Sequence, residues 1–143
     1  VLWDIQSVIT SGEPIFLTGD FNEPSHLGWT KEAAQAGLHP LKVAFPTSIQ
    51  VTEAGLKDAF RQLYPDPVAV PGFTWPAGTY PETPDSSVTD PADRIDFVYF
   101  TGKKVKVKNV QRIGEASETS DISFPKYPSD HRAVLVTFDL KGA

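Results

Sequence analysis

The chain has 143 residues, of which 40% are hydrophobic, 11% aromatic and 22% charged, enough to bury one core and too short for a second large domain. Its 18 acidic against 13 basic residues give a formal charge of −5, so its overall field disfavours nonspecific binding to a polyanion. Without cysteine, disulfides, thiol nucleophiles and thiolate metal sites are excluded, and any metal must be held by oxygen or imidazole. The compartment stays open, a secreted or periplasmic origin included. Apolar runs of five or six residues fall far short of the ~20 that cross a bilayer, so a soluble chain with no membrane span is expected. There is no methionine, and Val1 stands inside a helical pattern; this fits a trimmed chain or a piece of a longer protein.

In chain order, Val1, Leu2, Ile5, Val8 and Ile9 share one helical face over residues 1–11, with Gly12 as the stop. Ile15-Phe16-Leu17 then reads as a buried strand that delivers Thr18-Gly19-Asp20-Phe21-Asn22 to its end, and Pro24 prevents its continuation. A short helix starts around Trp29 to Glu32 with Thr30 as its cap and stops at Gly37. Residues 38–50 look irregular, and a helix is expected from Thr52 to Tyr64 with Leu56, Ala59, Phe60 and Leu63 on one face. Seven of the 13 prolines fall between Pro65 and Pro91, which predicts a long surface excursion of the kind that often carries function. Arg94 to Phe100 reads as a strand, ending at a Gly102 turn. Lys104, Lys106 and Lys108 alternate with Val105 and Val107; phosphate binding is conceivable there, but the alternation favours a solvated edge strand. A last strand runs from Arg132 to Leu140.

Three polar clusters lie at or within these strands: Gly19-Asp20-Phe21-Asn22, Asp93-Arg94-Ile95-Asp96 and Ser129-Asp130-His131. Carboxylates and an amide suit hard cations, and a histidine beside a carboxylate suits proton transfer or phosphate contact. Singly, the first and third could be local turns or caps. Asp96 says more, because a carboxylate on a strand face shared with Val98 and Phe100 needs a partner, which could also be Arg94 or a backbone amide.

Together and in this order, the clusters closely resemble the C-terminal half of the endonuclease/exonuclease/phosphatase superfamily, the fold of deoxyribonuclease I. Gly19-Asp20-Phe21-Asn22 is similar to its Gly-Asp-Phe-Asn motif and Phe73-Thr74-Trp75 to the aromatic segment before its next strand. Asp93 to Tyr99 resembles its Arg-Ile-Asp strand, and Ser129 to Val134 its closing Ser-Asp-His motif. The resemblance implies an α/β (α+β) fold, a β-sandwich flanked by helices, with residues 1–143 as the C-terminal portion of the domain. It implies divalent-metal-dependent hydrolysis of a phosphoester with Mg2+, Mn2+ or Ca2+. Asp20 would orient or deprotonate the attacking water, Asn22 would bind a phosphate oxygen or the nucleophile, and His131, held by Asp96, would stabilise the transition state. Asp130, with Asp20, would serve the metal, and Trp75 and Arg94 would shape the substrate pocket.

Family members also carry an Asn, a Glu following a Gln, and a further His in an N-terminal half, none of which can be placed here. His26, four residues from Asn22, could approach the site, whereas His39 reads as ordinary surface. Half a metal shell binds a cation weakly, and half a sandwich exposes an apolar sheet face. The expectation is therefore a partner, either the missing N-terminal half or a second copy of the chain. The acidic balance prefers a small or lipid-linked phosphoester over duplex DNA. The alternative is a non-catalytic binding or assembly module on the same fold. A serine hydrolase is disfavoured, since neither Ser25 nor Ser129 lies in a Gly-x-Ser-x-Gly elbow.

Overall fold

A computed structural model describes residues 2–77 and 92–140; the proline-rich excursion therefore lies partly, at 78–91, outside the described residues. Helix α1 (Leu2–Ser11) forms where the periodicity predicts it. Leu2 and Ile9 pack on a core of Val51, Leu56, Phe97 and Tyr99, and Gly12, at φ 83°, ends the helix. Strand β1 (Ile15–Asp20) follows and runs antiparallel to β3 (Asp96–Thr101). On the other side of β3 lies the two-residue β2 (Lys57–Asp58), which makes a sheet ordered β1-β3-β2.

The second sheet is ordered β5-β4-β6, from β4 (Val105–Gly114), β5 (Ile122–Ser123) and β6 (Ala133–Leu140). The two sheets face each other through Ala59, Phe100 and Val105, surrounded by Val98, Val107, Val136 and Phe138. Phe138 lies 4.7 Å from Phe16 and 5.1 Å from Phe100, ring to ring. With α1 against the other side of the first sheet, this is the mixed α/β arrangement of two small sheets and few helices that the sequence leads one to expect. No helix among the described residues is long and apolar enough to cross a membrane.

The middle of the chain departs from expectation. Instead of one helix over 52–64 after an irregular stretch, there are α3 (Pro46–Glu53) and α4 (Ala59–Leu63), separated by β2. Pro46 presets the first turn of α3, and Gly55 at φ 101° breaks the helical path. Asp58 then caps α4, its Oδ1 accepting from the amides of Phe60 and Arg61. The small helix α2 (Lys31–Gln35) is capped by Thr30, as its sequence suggests.

The lysine-bearing strand β4 is central in its sheet order, not an edge along its whole length. Its pairing with β5 involves only Ile113 and Gly114, so the lysine segment has β6 on one side, with Lys106 opposite Asp139. Strand β1 has a ladder partner on one side only among the described residues. Phe16 beside that open edge and Leu135 on β6 are each 44% exposed.

Candidate active site

Asp20 is the last residue of β1 and Asp96 the first of β3, and the antiparallel register sets them directly opposite each other. Side chains alternate along a strand, so Asp20 shares its face with Phe16 and Thr18, and Asp96 with Val98 and Phe100. That face looks toward the second sheet. Like charges opposite each other across a ladder repel, and a third group relieves them: His131 Nδ1 lies 3.0 Å from Asp96 Oδ2. His131 comes from the turn before β6, so the cluster joins the two sheets at one end. One ligand atom each from Asp20, Asp96 and His131 fall within 4.8 Å of one another, the combination among the described residues able to hold a metal ion.

The Asp20 turn is built locally. Asp20 Oδ1 accepts from the Asn22 amide at 2.8 Å, and Asn22 adopts φ 49°, the left-handed region that asparagine tolerates. Phe21 donates to Ile95 O at 2.9 Å and turns its ring edge-on to Phe97 and Tyr99, 5.4 and 5.5 Å away. This apolar anchor points Asp20 and the exposed Asn22 outward.

Thr74 holds the Asp96 side. Fully buried, its hydroxyl accepts from the amides of Ile95 and Asp96 at 3.1 and 3.2 Å. Its own N–H donates to Asp93 O at 2.8 Å, and its carbonyl accepts from Arg132 N at 2.7 Å. Trp75 exchanges two backbone bonds with Asp93, and Ala77 N donates to Asp130 O at 2.6 Å. The segment 73–77 thereby laces the Arg-Ile-Asp strand to the Ser-Asp-His turn. Sequence reasoning noted this segment for its aromatics and missed Thr74, because a hydroxyl that serves backbone amides leaves no charge or periodicity signal.

The structure does not bring every candidate together. Arg94, expected at the substrate pocket, is 5% exposed and bonds Asp58 in a fork, at 3.1 and 2.6 Å. Its guanidinium also covers the rings of Phe97 and Phe60, at 4.5 and 5.3 Å. The reason is where the strand starts: β3 begins at Asp96, so Arg94 stands before the alternation and turns to the Phe97 side. Trp75 is half-buried beside Asp93, and Asp130 lies outside the three-residue group. His26 binds Ser48, with Nδ1 2.8 Å from its hydroxyl. His39, read as surface, is 7% exposed and stacks on Trp29 at 4.2 Å, because it fills the pocket between Trp29 and Phe73.

For His131, partial burial opposes the charged form, but the Asp96 hydrogen bond and the charges of Asp96, Asp20 and Asp130 outweigh it and raise the imidazole above its ordinary value. Burial lowers His26 and His39 instead, against weaker attraction from Asp58 and Glu53 and from Asp93. The site thus sets an imidazole whose charged form is favoured beside two carboxylates, a combination able to neutralise developing anionic charge and to handle a water proton.

Residues 3–131 match the endonuclease/exonuclease/phosphatase family, and the chain belongs to that family. It is 34% identical over 130 residues to an uncharacterized protein of Caenorhabditis elegans, F14F9.5. That alignment covers 87% of this chain and 40% of the nematode protein. No solved structure matches the chain significantly.

Proposed function

We propose that the chain is the C-terminal part of a divalent-metal-dependent phosphoesterase, with residues 1–143 contributing the Asp20, Asn22, Asp96 and His131 half of the catalytic centre. The observation that carries this reading is the convergence of Asp20, Asp96 and His131 within 4.8 Å, in a family of phosphoester hydrolases. Asp20 orients the attacking water and takes its proton. Asn22 donates its side-chain amide N–H to a phosphate oxygen. His131, oriented by Asp96 and with its charged form favoured, donates to a non-bridging oxygen as negative charge builds.

The carboxylates of this cluster suit a hard cation, which keeps several waters and takes one or two carboxylates. Asp20, with Asp130 nearby in sequence to His131, would hold Mg2+ or Mn2+, which supplies Lewis-acid polarisation of the phosphate. The formal charge of −5 favours a small or lipid-linked phosphoester over duplex DNA. The edge of β1, open among the described residues, and the exposed Phe16 on that strand support completion by an N-terminal half or by a second copy.

The test uses the complete open reading frame, assayed on bis-para-nitrophenyl phosphate and a panel of phosphodiesters and phosphomonoesters with Mg2+ or Mn2+. Asp20→Ala and His131→Ala should each lower kcat/KM by about 10²-fold or more. Equal turnover in wild type and both variants refutes the assigned roles. Absence of turnover with every substrate favours the non-catalytic assembly module.

A further inference from the structure

Asp96 begins β3 and His131 lies in the turn before β6 of the other sheet, so their 3.0 Å contact depends on how that turn is tied to the start of β3. The residue next to His131 makes that tie. Arg132 is buried, at 6% exposure, and its backbone amide donates to Thr74 O at 2.7 Å. Its guanidinium reaches the end of β4, where Nε donates to Glu115 Oε2 at 3.1 Å and the terminal nitrogen pairs with Glu115 Oε1. The other terminal nitrogen donates to Phe73 O at 3.3 Å.

Gly114 leaves room for the arrangement, since a Cβ there would stand 2.3 Å from Ser120 Oγ and 2.9 Å from Arg132 Cγ. A buried guanidinium stripped of its carboxylate is costly, so this segment has little freedom to settle elsewhere. One side chain thus joins β4, segment 73–77 and the His131 turn.

We propose that Arg132, paired with Glu115 over Gly114, is a positioning residue that sets the reach of His131 to Asp96. The kinetic half of this inference rests on the phosphoesterase reading; the geometric half does not. In the complete protein, Arg132→Met keeps the length of the stem and removes the fork. It should lower kcat about 10- to 100-fold with KM changed less than about threefold, as expected when a catalytic group shifts by an ångström or less. Arg132→Lys, which restores the charge without the fork, should fall between.

Independently of turnover, the His131 Nδ1 proton resonance in 15N-histidine-labelled protein reports the Asp96 bond; it should be lost in Arg132→Met and kept in wild type. A cooperative thermal melt establishes that the variant is folded, and Glu115→Ala carries the same two readouts if Arg132→Met does not fold. A folded variant with wild-type kcat and an unchanged resonance overturns the proposal. Loss of the resonance in a protein whose wild type turns over no phosphoester would uphold the clamp and defeat the hydrolase reading.

Discussion

Two polar pairs originate two residues apart, in Arg94-Ile95-Asp96, and have opposite fates. Arg94–Asp58 is sealed in the interior, with side chains 4% and 1% exposed, whereas His131–Asp96 stays at the rim, at 26% and 19%. The first joins α4 and β2 to the start of β3 and is capped by aromatic rings; the second is reachable by a ligand and neighbours a further carboxylate, Asp20. Deep burial with a two-bond fork marks a structural pair, whereas partial exposure beside a further negative charge is what the proposed catalytic role of the second requires.

The comparison can be broken most severely at the interior. Asp58→Ala leaves Arg94 buried without its carboxylate and uncaps α4, so unfolding free energy by urea titration should fall by about 3–5 kcal/mol. His131→Ala, by contrast, should change stability by less than about 1 kcal/mol while removing activity. If both variants lose equal stability, the division between the two pairs fails.

A smaller effect is expected at Thr74, which serves the Asp96 side through backbone amides alone. Thr74→Val is nearly isosteric and leaves two buried N–H groups without their acceptor, so it should cost about 1–3 kcal/mol. Thr74→Ser should restore most of that, and a Val variant as stable as wild type would show that the hydroxyl bonds carry little weight.

The smallest effect is in pH dependence, where the two kinds of histidine differ in sign. His131 is raised in the folded state, so its contribution is full below the unfolded value of about 6.5. It is lost as pH rises through the higher folded value. His39 is lowered by burial, so its contribution is present above about 6.5 and lost as pH falls through the depressed folded value. Urea midpoints between pH 5 and 8 should therefore lose their acid-side decline in His39→Phe, which keeps the stack on Trp29. In His131→Ala the alkaline-side decline should flatten. An acid limb unchanged in His39→Phe would assign it to other groups, His26 among them.

Much of the site was legible in residue order. Asp20, Asp96 and His131 were identifiable because each sits beside a strand pattern, and a period of two tells which face a strand residue takes. Arg94 was given a pocket role by motif resemblance alone; β3 starts only at Asp96, so Arg94 falls before the alternation and turns inward to Asp58. The helix expected over 52–64 failed in a related way. Leu56, Ala59, Phe60 and Leu63 fit a helical face, yet Gly55 and the capping carboxylate of Asp58 divide the segment, and pairing with β3 outweighs local periodicity.

By itself, the sequence determined the strand-end carboxylates, the histidine and the family to which they belong, because local pattern and motif order survive without coordinates. The tertiary structure alone decided which charges meet. Asp20 opposes Asp96 through ladder register, His131 reaches Asp96 across two sheets, and Arg94 and Arg132 sink into separate buried pairs. Those outcomes depend on contacts between residues 17 to 76 positions apart in the chain, which no local pattern encodes.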